Sequence, residues 1–158
     1  MSPGRFCAMI GALIWSPQID KYLLLKRIER RGGTWECVTG RLEQGESFTD
    51  ALLREVYEEV GVRVEVDFML GTAHFYRGAP IVENEMVGVH FCCSLADPAA
   101  IRLSEEHSEY RWLSAREADI FLPSDRAWLR TLIARAEQIR ATLPPELILY
   151  NRRHSCEI

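Results

Sequence analysis

The stretch from Gly40 to Gly61 constrains this chain more than any other. It holds Glu43, Glu46, Asp50, Glu55, Glu58 and Glu59 against Arg41 and Arg54, so the whole formal net charge of −4 resides there. Glu46 or Ser47 can cap a helix, apolar residues recur from there to Val60, and Gly61 stops it, which predicts a helix over residues 47–60. At about 100° per residue, Glu58 and Glu59 fall about 60° behind and about 40° ahead of Glu55. Leu52, Val56, Val60 and Leu53 occupy a separate arc about 60–160° ahead of Glu55. Such a helix has one face to bury against a sheet and one face of crowded carboxylates.

Like charges three and four residues apart cost a few tenths of a kcal/mol per pair, and Arg54 offsets part of this through an i,i+4 pair with Glu58. A divalent cation offsets far more. Clustered carboxylates are the hard oxygen donors that magnesium or manganese prefers, and magnesium completes its shell with waters and substrate phosphates. Gly40 and Gly45 flank the preceding turn and allow backbone to approach a ligand. A solvated acidic helix is the plainer reading of paired glutamates. The loop glycines, Arg54 and the uneven charge favour the cation site.

The rest of the chain supplies the layers. Phe6 to Trp15, Lys21 to Arg27, Trp35 to Val38, Val62 to Tyr76, Glu85 to Leu95 and Tyr110 to Leu113 read as strands, with a short helix near Ala115 to Phe121. A second long helix is predicted over 124–142, capped by Ser124, with Trp128, Leu129, Leu132, Ile133 and Ile139 as a core stripe. Leu147 to Tyr150 is a segment able to dock, and Asn151 to Ile158 is expected to fray. A length of 158 residues suits a single domain over residues 1–158. Strands interspersed with helices predict an α/β or α+β sandwich, its sheet covered on both faces.

Gly40, five residues, Glu46, seven residues, and then Arg54-Glu55-Val56-Tyr57-Glu58-Glu59-Val60-Gly61-Val62 resembles the Nudix box at all nine of its specified positions over 23 residues. The resemblance implies an α/β/α sandwich around a central mixed sheet. It also implies hydrolysis of a nucleoside diphosphate linked to another group, by water attack at phosphorus with Mg2+ or Mn2+. Carried over residue by residue, Glu55, Glu58 and Glu59 would hold the metal, with the Gly40 carbonyl as a further ligand. Glu55, Glu58 and Arg54 would form the catalytic group, Arg54 and Glu46 buttressing the loop and helix. Glu55 is the first candidate for deprotonating or orienting the water, with Glu105, Glu106 and Glu109 as rivals from a later loop. Many family members have Pro-Gly before the first glycine, where this chain has Val38-Thr39. The string "WECVTGRLEQGE" is similar to the branch acting on dihydroneopterin triphosphate.

On the substrate side, Lys26, Arg27, Arg30, Arg31 and Arg41 lie near the box, where cations meet phosphate oxygens. Trp35, Phe75 and Tyr76 are candidates to stack on a base or pterin ring, Trp35 being better suited to the core. The expected ligand-binding set is Arg27, Arg41 and Tyr76. His74, His90 and His107 lack metal spacing and take no role. The balanced charge elsewhere argues against duplex nucleic acid. A noncatalytic nucleotide- or protein-binding module and an RNA 5'-end pyrophosphohydrolase are the alternative functions. Five cysteines without CxxC spacing suggest neither a disulfide framework nor a zinc site, Cys7, Cys92 and Cys93 being read as buried thiols. With no signal-peptide pattern and no apolar run of ~20 residues, a reducing cytoplasm is expected and a membrane span is not. The oligomeric state is left open, a homodimer included.

Overall fold

Alternating apolar strands and amphipathic helices assemble into one mixed sheet with helices on both faces. The computed structural model describes residues 6–154. Its strands are β1 (Cys7–Ser16), β2 (Lys21–Arg27), β3 (Trp35–Glu36), β4 (Val38–Arg41), β5 (Glu65–Tyr76), β6 (Glu85–Ser94) and β7 (His107–Leu113). The helices are α1 (Phe48–Val60), α2 (Ala115–Phe121), α3 (Ala127–Thr142) and α4 (Pro145–Arg153). The sheet order is β3-β2-β1-β6-β5, with β4 also paired to β1 and β7 to β2. The β1–β6 pair is parallel and the other pairs are antiparallel.

The two-residue period of β1 divides the core. Ile10, Ala12 and Ile14 meet Leu52, Val56 and Val60 of α1 on one face, while Leu13 joins Leu24, Ala118, Leu122, Leu129 and Ile133 on the other. The expected α/β/α sandwich with a central mixed sheet is the observed architecture.

Several local expectations need correction. The single strand expected over Trp35 to Val38 is two, Trp35–Glu36 pairing with β2 and Val38–Arg41 pairing with β1 as β4. Ser124–Arg126 is a 3-10 turn without a side-chain cap, so α3 starts at Ala127. Leu53, at the margin of the apolar arc, is exposed, and Trp128 turns out of the core stripe to 40% exposure. Cys37, Cys92 and Cys93 are buried but Cys7 is only half-buried. Cys156 lies outside the described residues.

The tail is the largest correction. Asn151 to Arg153, expected to fray, form the last turn of α4. Arg152 donates from Nε to Oδ1 of the fully buried Asp67 at 2.7 Å and from Nη2 to Ser94 Oγ at 2.7 Å. Asn151 Nδ2 donates to the Asp67 carbonyl at 2.8 Å. A buried carboxylate on β5 demands a compensating cation, which hydrophobic periodicity in the tail does not reveal. Residues 155–158 lie outside the described part of the chain. Among the described residues no helix is long and apolar enough to cross a membrane.

Candidate active site

The start and stop of α1 are built as its sequence dictates. Ser47 Oγ accepts the Asp50 N–H at 3.0 Å, and Gly61 closes the helix at φ 70° with its N–H on Tyr57 O. The wheel positions of the three glutamates then decide their burial. Glu59, at about 40° and next to Leu52 at about 60° on the wheel, is pulled under the edge of the core. Its side chain is 6% exposed, against 15% for Glu55 and 57% for Glu58. The carboxylate face is therefore a gradient from interior to solvent.

Arg54 ties this face to the preceding loop. It donates from Nε and Nη2 to the two Glu46 carboxylate oxygens at 2.6 and 2.8 Å, a bidentate clamp. It also donates from Nη1 to Glu55 Oε1 at 2.9 Å and to Glu58 Oε2 at 3.3 Å, and from Nη2 to the Arg41 carbonyl at 3.0 Å. Glu46 in turn accepts the Glu43 N–H at 2.8 Å. The clamp holds the Glu46 carboxyl well below the ordinary range, at about 2.

Strand β4, unforeseen in the sequence, places the two sides of the site. Gly40 faces α1 so closely that a Cβ there would lie 1.9 Å from Glu55 Cδ. Thr39 and Arg41, its neighbours in the alternation, face the opposite side and line a cleft. Gly40 also lines the cleft, so this one residue borders both the carboxylates and the cleft.

Glu59 has company that sequence reasoning missed. Burial, then the nearby charges of Glu36 and Glu55, push its carboxyl up to about 9. His107, fully buried, has Nε2 at 3.3 Å from Glu36 Oε1 and 3.9 Å from Glu59 Oε2, and Glu36 accepts a close hydrogen bond from Arg27. Glu36 and His107 are distant in sequence from the box and from each other, and only the antiparallel β2–β3 and β2–β7 pairings bring them together. Of the later-loop glutamates, Glu106 pairs with Arg31 at 2.7 Å and its charge acts on both Glu55 and Glu59. Glu109 pairs instead with Arg111 at 2.7 Å.

The donor set fits a hard divalent cation. Glu59 Oε2 is buried without a hydrogen-bond partner among the described residues, and burial also raises the Glu55 carboxyl. Three carboxylates crowded in this way are what a cation relieves. Among the described residues no three His, Cys, Asp or Glu side chains already close into a cage. Glu55 and Glu58 lean on Arg54 instead.

The cleft has a volume of about 960 Å³ and brings together Arg27, Arg41 and Tyr76, the residues proposed from sequence to meet substrate. Arg31, Phe75, His90 and Trp128 share it. Trp35 packs edge-on against Phe121 at 5.0 Å, in the core where it was expected.

A family model described as the NUDIX domain matches residues 6–136. The chain is 31% identical over 121 residues to the dihydroneopterin triphosphate diphosphatase of Escherichia coli (strain K12), covering 69% of this chain and 79% of that protein. It is 37% identical over 110 residues to the octanoyltransferase of Myxococcus xanthus, covering 65% of this chain and 29% of that protein. The chain therefore spans less than a third of the length of that relative. The crystal structure of the MutT protein of Methanosarcina mazei Go1 superposes with a TM-score of 0.70 at 25% identity, covering 89% of this chain and 99% of the other. The family model covers most of the chain and the fold is shared with that structure, so the chain belongs to the Nudix family.

Proposed function

We propose that this chain is a pyrophosphohydrolase that uses Mg2+ or Mn2+ to cleave a diphosphate linkage in a nucleoside triphosphate or related nucleoside diphosphate derivative. The observation that carries this reading is the back-to-back arrangement on β4. Gly40 presses on the Glu55 carboxylate and also borders the cleft that Thr39 and Arg41, on the other face, line together with Arg27 and Tyr76. The relative that cleaves dihydroneopterin triphosphate supports the same reaction class.

Glu55, Glu58 and Glu59 would hold the cation, with the Gly40 carbonyl as a further donor. When bound, a divalent cation supplies charge neutralisation of the diphosphate and polarisation at phosphorus. Arg54, clamped by Glu46, orients Glu55 and Glu58 and limits their mutual repulsion. Arg27 and Arg41 bind phosphate oxygens. Glu55, half-buried against Gly40 and raised in pKa by that burial, takes or orients the proton of the attacking water.

A panel of nucleoside triphosphates, nucleotide sugars, dinucleoside polyphosphates and dihydroneopterin triphosphate, assayed with Mg2+ or Mn2+ for pyrophosphate and phosphate release, tests the proposal. At least one compound is expected to turn over. Glu58→Gln and Glu59→Gln are each expected to lower kcat on the order of tenfold or more while keeping the circular dichroism of the folded protein. No turnover of any compound, or turnover unchanged by both substitutions, sinks the reading.

A further inference from the structure

The cleft has an end that the phosphate chemistry leaves unused. Its floor is the face of the sheet opposite α1, and one cross-strand row runs Thr39 (β4), Gly11 (β1), His90 (β6), Gly71 (β5). Adjacent strands lie about 4.8 Å apart, so His90 sits about 10 Å across the sheet from Thr39, itself beside Gly40. His90 is only 7% exposed yet lines the cleft. Its imidazole makes no hydrogen bond among the described residues, and neither ring nitrogen is one of the fully buried unpartnered atoms, so the ring's hydrogen-bonding capacity is open to the cleft.

The space for this imidazole is built by Gly11. A Cβ on Gly11 would lie 2.3 Å from His90 Cδ2 and 2.7 Å from Nε2, so the ring lies over the β1 backbone at Gly11. Trp128, 40% exposed on the cleft rim, stands 6.0 Å from the imidazole at 52°. Met9, whose side chain covers Gly88 of β6, and Met86 line the same cleft, as does Arg126. Burial lowers the His90 pKa, so the ring is neutral near pH 7 and offers one N–H donor and one nitrogen acceptor. An aromatic-walled end of a cleft, holding one unspent donor–acceptor pair, is the setting for a planar heteroaromatic ring with a hydrogen-bonding edge.

We propose that His90 is the specificity-determining residue of the cleft, hydrogen-bonding the polar edge of the heteroaromatic ring of a nucleotide-like substrate while Trp128 packs against that ring. This deepens the proposed function by assigning the ring-reading end of the same cleft. The span of about 10 Å from His90 to Thr39 is enough for a sugar and the first phosphate between ring and carboxylates.

The test is binding without divalent cation, so that it stands apart from hydrolysis. Titration calorimetry of the whole protein with the four common nucleoside monophosphates, 7,8-dihydroneopterin and inorganic pyrophosphate is run on wild type, His90→Phe, Gly11→Ala and Trp128→Leu. His90→Phe keeps a planar ring and removes both nitrogens. It is expected to weaken the best ring-bearing ligand tenfold or more and to flatten preference among rings, with pyrophosphate binding unchanged. Gly11→Ala, which keeps every polar group and displaces the imidazole, is expected to do the same. Trp128→Leu is expected to weaken all rings alike. A folded His90→Phe protein with the wild-type order of ring affinities, or the absence of ring binding in wild type, overturns the proposal. Ring binding that depends on His90 in a protein that hydrolyses nothing would reject the hydrolase reading and leave this one standing.

Discussion

At the residue scale, the site is held by one arginine reading four oxygen-bearing partners. Arg54 joins Glu46, Glu55, Glu58 and the Arg41 carbonyl, and so converts a repulsive helix face into a connected one. The Glu46 end of this clamp has a pH signature. Its folded pKa of about 2 lies below the ordinary carboxylate value. Its contribution to stability is therefore full above about 4.3 and is lost as pH falls toward 2. Glu46→Gln is expected to show a shallower loss of stability between about pH 4.5 and pH 2 than wild type, followed by urea unfolding at stepped pH. An unchanged acid limb would mean that the clamp forms equally in the unfolded chain. The pattern Gly-x5-Glu-x7-Arg-Glu made this group legible in advance, because a helix fixes which of its own residues share a face. Glu36, His90 and His107 were not legible, since each acts across strands.

At the element scale, β4 and α4 are the pieces that periodicity could not supply. Four residues with a glycine carry no clear alternation, yet β4 sets the offset between Gly40 and its neighbours that the site depends on. Helix α4 is fixed by charge. Asp67 has no exposure and is met by Arg152 at 2.7 Å, with Arg140 farther off at 3.7 Å. Arg152→Ala leaves that carboxylate with the weaker partner and is expected to cost about 2 kcal/mol, below the usual loss for a buried pair because Arg140 remains. Urea unfolding measures this, and amide exchange in Pro145–Arg153 should quicken more than in α3. A loss below about 0.5 kcal/mol would show that α4 docks through its apolar side chains alone.

At the scale of the whole molecule, the sandwich holds the acidic helix and the cleft on opposite faces of one sheet, with β4 between them. A cation that binds only the folded protein raises its stability by mass action, about 1.4 kcal/mol at ten times its dissociation constant. For a chain of this size that is a rise in Tm of about 3–6 °C. The wild type is expected to show it with Mn2+ or Mg2+ and Glu59→Gln to show little of it, by calorimetric or fluorescence melting. An equal rise in both would place the cation elsewhere. The sequence by itself determined the family, the sandwich class, the limits of α1 and the shared face of Glu55, Glu58 and Glu59, because these rest on spacing within one helix and on a contiguous motif. Only the tertiary structure decided that Glu59 is buried, that Glu36 and His107 stand beside it, that His90 lies over Gly11 in the cleft, and that the tail is anchored on Asp67. Those follow from strand register and from pairing of buried polar groups far apart in the chain, and local spacing carries no record of either.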